Sequence, residues 1–347
     1  MKYGAIADNE LERRMLGTAR GPRPVLDALV SLVQAKSLML SVRLGIFDKL
    51  ASGPATAARL AAACDVDHEM LDLILRMLWG SGYLERVDRM YNVTALARGA
   101  LLRTSPASRA SHTTMCELFW DAIGNMESAL RTGRGVDPHV YLRTPAAWQI
   151  YQAAMLENAR IAAPLISSLI PVRDGARTLL DLGGSHGLFG AFICRSHPPM
   201  TSEVIELPAA VEQAAELAFH AGLDDVVRHR AGDVLTMDLD SNRDVILINN
   251  VLHYFHPQQI AQLLQRARRA LAASGTLAIF EFEPPTDVDA PDALRDGGAL
   301  FFRTISPTRC HHADEYSAWL SQAGFIDIRV RRLPALTQQV VLTARQC

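Results

Sequence analysis

Paired cysteines are missing from this 347-residue chain. Its five cysteines, Cys64, Cys116, Cys194, Cys310 and Cys347, are scattered, odd in number and never spaced C-x-x-C. That excludes a disulfide framework and a zinc site of the usual spacing, and favours a reducing compartment. An excess of one charge is missing as well. At a net charge of −2 the chain offers nucleic acid or an anionic membrane no electrostatic attraction. The opening MKYGAIADNELERRM sets charges where a secretion signal needs an apolar run. No uninterrupted apolar stretch reaches the ~18 residues of a membrane span. Internal repeats and low-complexity tracts are also lacking. A soluble cytoplasmic protein is expected, with neither nucleic acid nor membrane as partner and with room for two domains.

What is present falls into four stretches. Residues 1–22 are polar and run into Gly-Pro-Arg-Pro, as an N-terminal arm or frayed terminus does. From 23 to 105 an almost wholly apolar helix (Val25 to Gly45) precedes a helix opening at Thr56, a turn, a second helix ending at Gly80, and an alternating YLERVDRMYNVT hairpin. Helix, turn, helix, hairpin is the order of a winged helix. The second of these helices and its turn carry Asp65, Asp67, Glu69 and Asp72 against Arg76, which repels a phosphate backbone, so pairing with a second copy is the better use. The apolar helix is the expected seam, since alone it leaves a large exposed patch. Residues 106–165 read as a helical connector. From 166 to 347 β-rich runs alternate with helices, including one from Gln258 to Ala273, which indicates an α/β domain with a mostly parallel sheet and an antiparallel hairpin at one edge. A ligand belongs at the carboxyl ends of those strands, near the topological switch point.

Three strand ends in turn carry ligand chemistry. The first reads Leu180-Asp181-Leu182-Gly183-Gly184-Ser185-His186-Gly187. Its glycines let backbone amides approach a ligand closely, but their spacing is not the G-x-G-x-x-G of a nicotinamide fold. An acid two residues before the first glycine suits an ammonium group, such as the methionine end of S-adenosylmethionine, better than a pyrophosphate. The second strand ends in Val204-Ile205-Glu206-Leu207, which sets a carboxylate where a ribose diol can donate to it. The third ends in Gly232-Asp233-Val234, an acid for an adenine amino group and an apolar side chain for its ring. His186, inside the loop, either lines the cofactor or faces solvent.

The fourth strand runs out as Asn249-Asn250-Val251-Leu252-His253-Tyr254-Phe255. With DLGGSHG, VIELP and AGD before it in order, the chain resembles the S-adenosylmethionine-dependent small-molecule O-methyltransferases of plant and bacterial natural-product pathways, over most of its length. The resemblance implies a class I Rossmann-like methyltransferase domain behind a winged-helix dimerisation domain, a homodimer, S-adenosylmethionine as cofactor and no metal. It assigns the cofactor to Asp181, Gly183, Gly184, Gly187, Glu206, Leu207, Gly232, Asp233, Val234 and Asn249. In that family an H-D-W-like segment supplies the general base, and His253 falls there. Chemistry supports the same residue. A phenol titrating near 10 needs a base at neutral pH, and histidine is available as one.

The family's orienting acid near the end of the fifth strand matches Glu281, with Glu283 expected to point to the opposite side. A second family glutamate falls at or beside Cys310, a departure that leaves His253 with one carboxylate. His256, followed by Pro257, is expected to start the next helix. Trp120, Asn125, Tyr151, Met155 and Asn158 resemble positions that line the acceptor pocket, and a natural-product acceptor, aromatic as a rule in this family, follows. Methylation of nitrogen or carbon, or non-methyl chemistry with the same cofactor, is the alternative that these residues leave open.

Overall fold

The computed structural model describes residues 4–18, 21–287, 289–336 and 338–346, and divides the chain into two compact units, residues 2–117 and 118–347. Cys347 lies outside the described residues.

In the first unit the N-terminal stretch is more ordered than an arm. Asn9 accepts from the Glu12 amide and starts a helix over Glu10–Leu16, which buries none of its side chains. A continuous helical stretch then covers 23–43, with a π segment at Leu26–Val30. By length and composition it is apolar enough to cross a membrane, although no uninterrupted apolar run predicted this. Lys36 and Arg43 on it pair with Glu117, at 2.7 and 2.9 Å. Its other face is bare: Val25, Leu29, Leu32 and Val33, spaced to share one side, are 41–61% exposed.

Thr56 and Asp67 cap the two following helices, Ala57–Cys64 and His68–Gly80, by accepting from backbone amides three residues on. Strands β1 (Leu84–Val87) and β2 (Met90–Val93) pair antiparallel through a two-residue turn, Asp88-Arg89, with φ of 47° and 64°. Two positive φ values match the twist of a tight hairpin. A bridge from Ala55 to Tyr91 completes the wing. The winged-helix order read from the sequence is therefore present.

The second unit is built on seven strands: β3 (Thr178–Leu182), β4 (Thr201–Glu206), β5 (Val227–Ala231), β6 (Arg243–Asn249), β7 (Leu271–Phe282), β8 (Ile326–Arg332) and β9 (Gln339–Arg345). Their order in the sheet is β5-β4-β3-β6-β7-β9-β8. The first five run parallel, and β9 lies antiparallel between β7 and the edge strand β8. The chain moves outward from β3 to β5 and then back to β6, so the switch point is between β3 and β6.

Both faces are covered, and the central strands are accordingly apolar on both faces over most of their length. Leu179, Val245 and Leu247 face one core; Leu180, Leu182, Ile246 and Ile248 face the other. The helix predicted from Gln258 is Pro257–Ala270, and His256 is its N-cap, its amide donating to Gln259 at 2.9 Å. One helix, Ala293–Ile305, was not legible in the sequence; Asp292 caps it. Its DGG and FF segments spoil any simple apolar period.

Asp244 ties the switch point down. It accepts from the Arg177 and Thr178 amides at 2.7 and 3.0 Å, and from the Arg173 guanidinium. Burial alone would raise this carboxyl, yet those two amides and Arg173 hold it below its ordinary range. A depressed folded pKa contributes stability above the unfolded value, near 4, that is lost as pH falls through the folded one. Asp244→Asn should therefore lower the melting temperature at pH 7 by roughly 2–6 °C. By calorimetry the deficit should shrink toward pH 3.

Candidate active site at the ends of the central strands

Strand β3 delivers Asp181 to the start of the glycine loop, fully buried, on the same face as Leu179. The chain passes directly over it. A Cβ on Gly184 would lie 2.3 Å from the Asp181 carboxyl carbon, so only glycine fits. Gly187 turns the chain into the helix Leu188–Ser196 with φ of 74°, and a Cβ there would meet Val227 at 2.6 Å. Among the described residues neither oxygen of Asp181 has a partner. Burial, with Glu206 nearby, pushes its pKa up to about 7. A carboxylate in this state wants a cation.

Glu206, at the end of β4, accepts from Ser185 N at 3.0 Å and Leu207 N at 2.8 Å. Burial raises its pKa, against the pull of these amides. Gln152 bridges the two, accepting from the Ser185 hydroxyl while its side chain bonds Glu206. Sequence reasoning missed Gln152, because a glutamine in a helix carries no motif. His186 does not face solvent. It is buried, takes the Leu188 amide at 3.0 Å on one ring nitrogen and bonds the Met155 backbone; burial lowers its pKa to about 4. Met155 is thus held at the glycine loop.

After β5, a Cβ on Gly232 would strike Met237 at 2.2 Å, and Asp233 caps its own turn by accepting from the Leu235 amide at 2.9 Å. Val234 is packed into the core beside Leu180 and Ile205. Arg266 clamps this turn through the carbonyls of Val234, Leu235 and Met237. Arg266 was also unforeseen, since it is 32 residues from Val234 along the chain.

Strand β6 ends at Asn249, whose buried side-chain nitrogen has no partner, and at Asn250 with φ of 54°. This left-handed residue turns the chain so that Val251 and Leu252 both donate to one oxygen of Glu281, each at 2.6 Å. The other oxygen takes His253 Nδ1 at 2.8 Å. Glu281 and His253 are 0% and 1% exposed. Nδ1 carries the hydrogen, because a carboxylate can only accept. Nε2 is then the acceptor, and it is buried with no protein partner. The His253 carbonyl takes hydroxyls from Ser306 and Thr308, at 2.7 and 2.6 Å.

Glu283 does turn away, but alternation is not the reason, since residues two apart share a face. Strand β7 stops at Phe282, and Arg332 draws Glu283 into a two-bond pair at 2.7 and 2.8 Å. Cys310 is buried near Glu281, its thiol raised to about 12 chiefly by burial. Of the expected acceptor wall, Tyr151 reaches the site, its hydroxyl 3.3 Å from that of Tyr254. Asn158 is half-buried on the same helix, Pro145–Ser167, and Trp120 half-buried on Trp120–Gly124. Asn125 is exposed and its amide donates to the Asp121 carbonyl at 2.8 Å, so it is not brought to the site.

A sheet of this order, with a glycine loop, a strand-end acid and a histidine–carboxylate pair on one rim, defines a methyltransferase fold and site. The O-methyltransferase domain family matches residues 135–326, and the O-methyltransferase dimerisation domain matches residues 26–104. The chain belongs to the O-methyltransferase family. It is 26% identical over 325 residues to 3-hydroxy-5-methyl-1-naphthoate 3-O-methyltransferase of Streptomyces sahachiroi, covering 90% of this chain and 91% of that one. It is 27% identical over 322 residues to the N,N-dimethyltransferase OxyT of Streptomyces rimosus, covering 89% and 91%. Among solved structures, human N-acetylserotonin methyltransferase in complex with SAM superposes with a TM-score of 0.82 at 20% identity, covering 99% of both chains. S-adenosylmethionine is the cofactor of this enzyme.

The strand ends fit that group. The orphaned Asp181 oxygens and the orphaned Asn249 amide nitrogen are open valences a cationic nucleoside can fill. Asp181 also yields a test. Its raised pKa makes the cofactor-free fold lose stability as pH rises from about 4 to about 7, because the folded state then holds the extra proton. Asp181→Asn should stabilise the cofactor-free protein at pH 8, by up to about 4 kcal/mol. The gain should fade toward pH 4 in denaturant titrations.

Proposed function

We propose that this enzyme methylates a hydroxyl of a small aromatic natural-product-type acceptor, with His253 as general base. The observation that carries the proposal is the His253 Nε2 atom, buried and unpartnered while Glu281 holds Nδ1. S-adenosylmethionine supplies a methyl group on a sulfonium sulfur. Asp181 is assigned its ammonium, Glu206 its ribose hydroxyls and the 232–234 turn its adenine; Gly183, Gly184, Gly187 and Leu207 shape the backbone around it, and Asn249 donates its free amide. His253 Nε2 takes the acceptor's O–H proton as the new O–CH₃ bond forms and the S–CH₃ bond breaks. Glu281 then faces an imidazolium, whose charge it offsets at one hydrogen bond's distance. Ser306 and Thr308, gripping the His253 carbonyl, keep the ring on that line.

An amine acceptor is the second reading. The likeness to OxyT favours it, and the same Nε2 atom can take an N–H proton.

Two copies pair through the 26–104 region. The apolar row Val25, Leu29, Leu32 and Val33 is what a second copy would cover.

His253→Gln should cut turnover of phenols about 10²–10⁴-fold while leaving S-adenosylmethionine affinity within about twofold, by coupled assay and calorimetry. Turnover that survives at every pH would remove the base from the reaction. Separately, Leu29→Glu/Leu32→Glu should convert a dimer to a monomer in light scattering. A wild-type chain that is monomeric at micromolar concentration refutes the seam.

A further inference from the structure

Aromatic rings close around the base. The Tyr254 ring lies 4.1 Å from that of His253, Phe302 4.7 Å and Phe282 6.2 Å. Beyond Tyr254 the wall continues with Trp148, 5.9 Å from Tyr151, and with His139, 6.1 Å from Tyr254. Two hydroxyls interrupt this apolar surface, those of Tyr254 and Tyr151, 3.3 Å apart. Their position follows from their neighbours. Tyr254 follows the base directly and packs on its ring, whereas Tyr151 precedes Gln152, which takes the Ser185 hydroxyl of the glycine loop. The pair therefore stands between the base and the cofactor rim, where an acceptor ring must lie.

Counting protons gives the pair a function. Two phenols sharing one hydrogen bond use one of their two O–H groups. Among the described residues no other group bonds either oxygen. One O–H is left over among half-buried rings, where an unmade hydrogen bond is costly. Burial keeps both phenols protonated, and either can donate the shared bond, so the spare hydrogen belongs to the pair. The chain has Tyr254 where the family's H-D-W-like segment has an acid.

We propose that Tyr151 and Tyr254 form a specificity-determining pair whose one free O–H donates to an oxygen adjacent to the reacting hydroxyl. The preferred acceptors are then aromatic rings bearing two vicinal oxygens, either two hydroxyls or a hydroxyl beside a carbonyl. The inference rests on His253 as the base, which fixes where the reacting hydroxyl sits.

The test is calorimetric titration of the protein loaded with S-adenosylhomocysteine, using 2-naphthol and 2,3-dihydroxynaphthalene as probes. The wild type should bind the diol about tenfold more tightly. Tyr151→Phe/Tyr254→Phe should bring the two affinities within about twofold, and each single variant should retain part of the preference. Affinity for S-adenosylhomocysteine, read in the same titrations, checks that each variant is folded. Equal wild-type affinities, no binding of either probe, or a preference that survives the double variant would overturn the proposal. No proton moves in these titrations, so a failure of the base shows only in the turnover of His253→Gln.

Discussion

The carboxylate of Glu281 is the interaction on which the rest of the site depends. It is fully buried, and it spends its acceptor capacity on three N–H groups of one short turn, Val251, Leu252 and His253. A buried ionised acid is costly unless it is paired and hydrogen-bonded. Here the hydrogen bonds that offset the cost also fix the turn, the imidazole and its tautomer. Any rotation of the histidine ring would break the Nδ1 bond and push the ring against Tyr254 or Phe302.

Support for that carboxylate is spread over distant chain segments. The left-handed Asn250 aims the two amides, and the 306–308 segment grips the His253 carbonyl from outside. Cys310, a neutral thiol near Glu281, adds no second negative charge to a place that already holds one. On the cofactor side the logic is inverted. Asp181 is equally buried but unpartnered among the described residues, so the protein holds a destabilised acid there. One rim thus carries a satisfied carboxylate that fixes a histidine ring and an unsatisfied one with its valences open.

Much of this was legible in the sequence. Strand–helix alternation, the glycine loop, the acids at the strand ends and the histidine after β6 depend on neighbours a few residues away, where spacing reports geometry directly. The caps at Thr56 and Asp67 are of the same local kind. The helix Ala293–Ile305, Gln152, Arg266, Ser306 and Thr308 were not legible. Each acts across a long separation in the chain, and none stands in a motif of its own. The rule of alternation also failed at Glu283, because a strand's end and an arginine on β8 decided its direction.

The sequence by itself determined the order of elements, the sheet's two buried faces and the residue types at each strand end, since these follow from local periodicity and backbone sterics. Only the tertiary structure decided which of those groups are satisfied. Asp181 and Glu281 look alike along the chain, as carboxylates on buried strands. One is left without a donor and the other meets three, because β6 and β7 lie side by side and the turn after β6 folds over the end of β7. The bonding of a buried polar group depends on what the fold brings within 3 Å of it, and that distance is set by segments far apart in sequence.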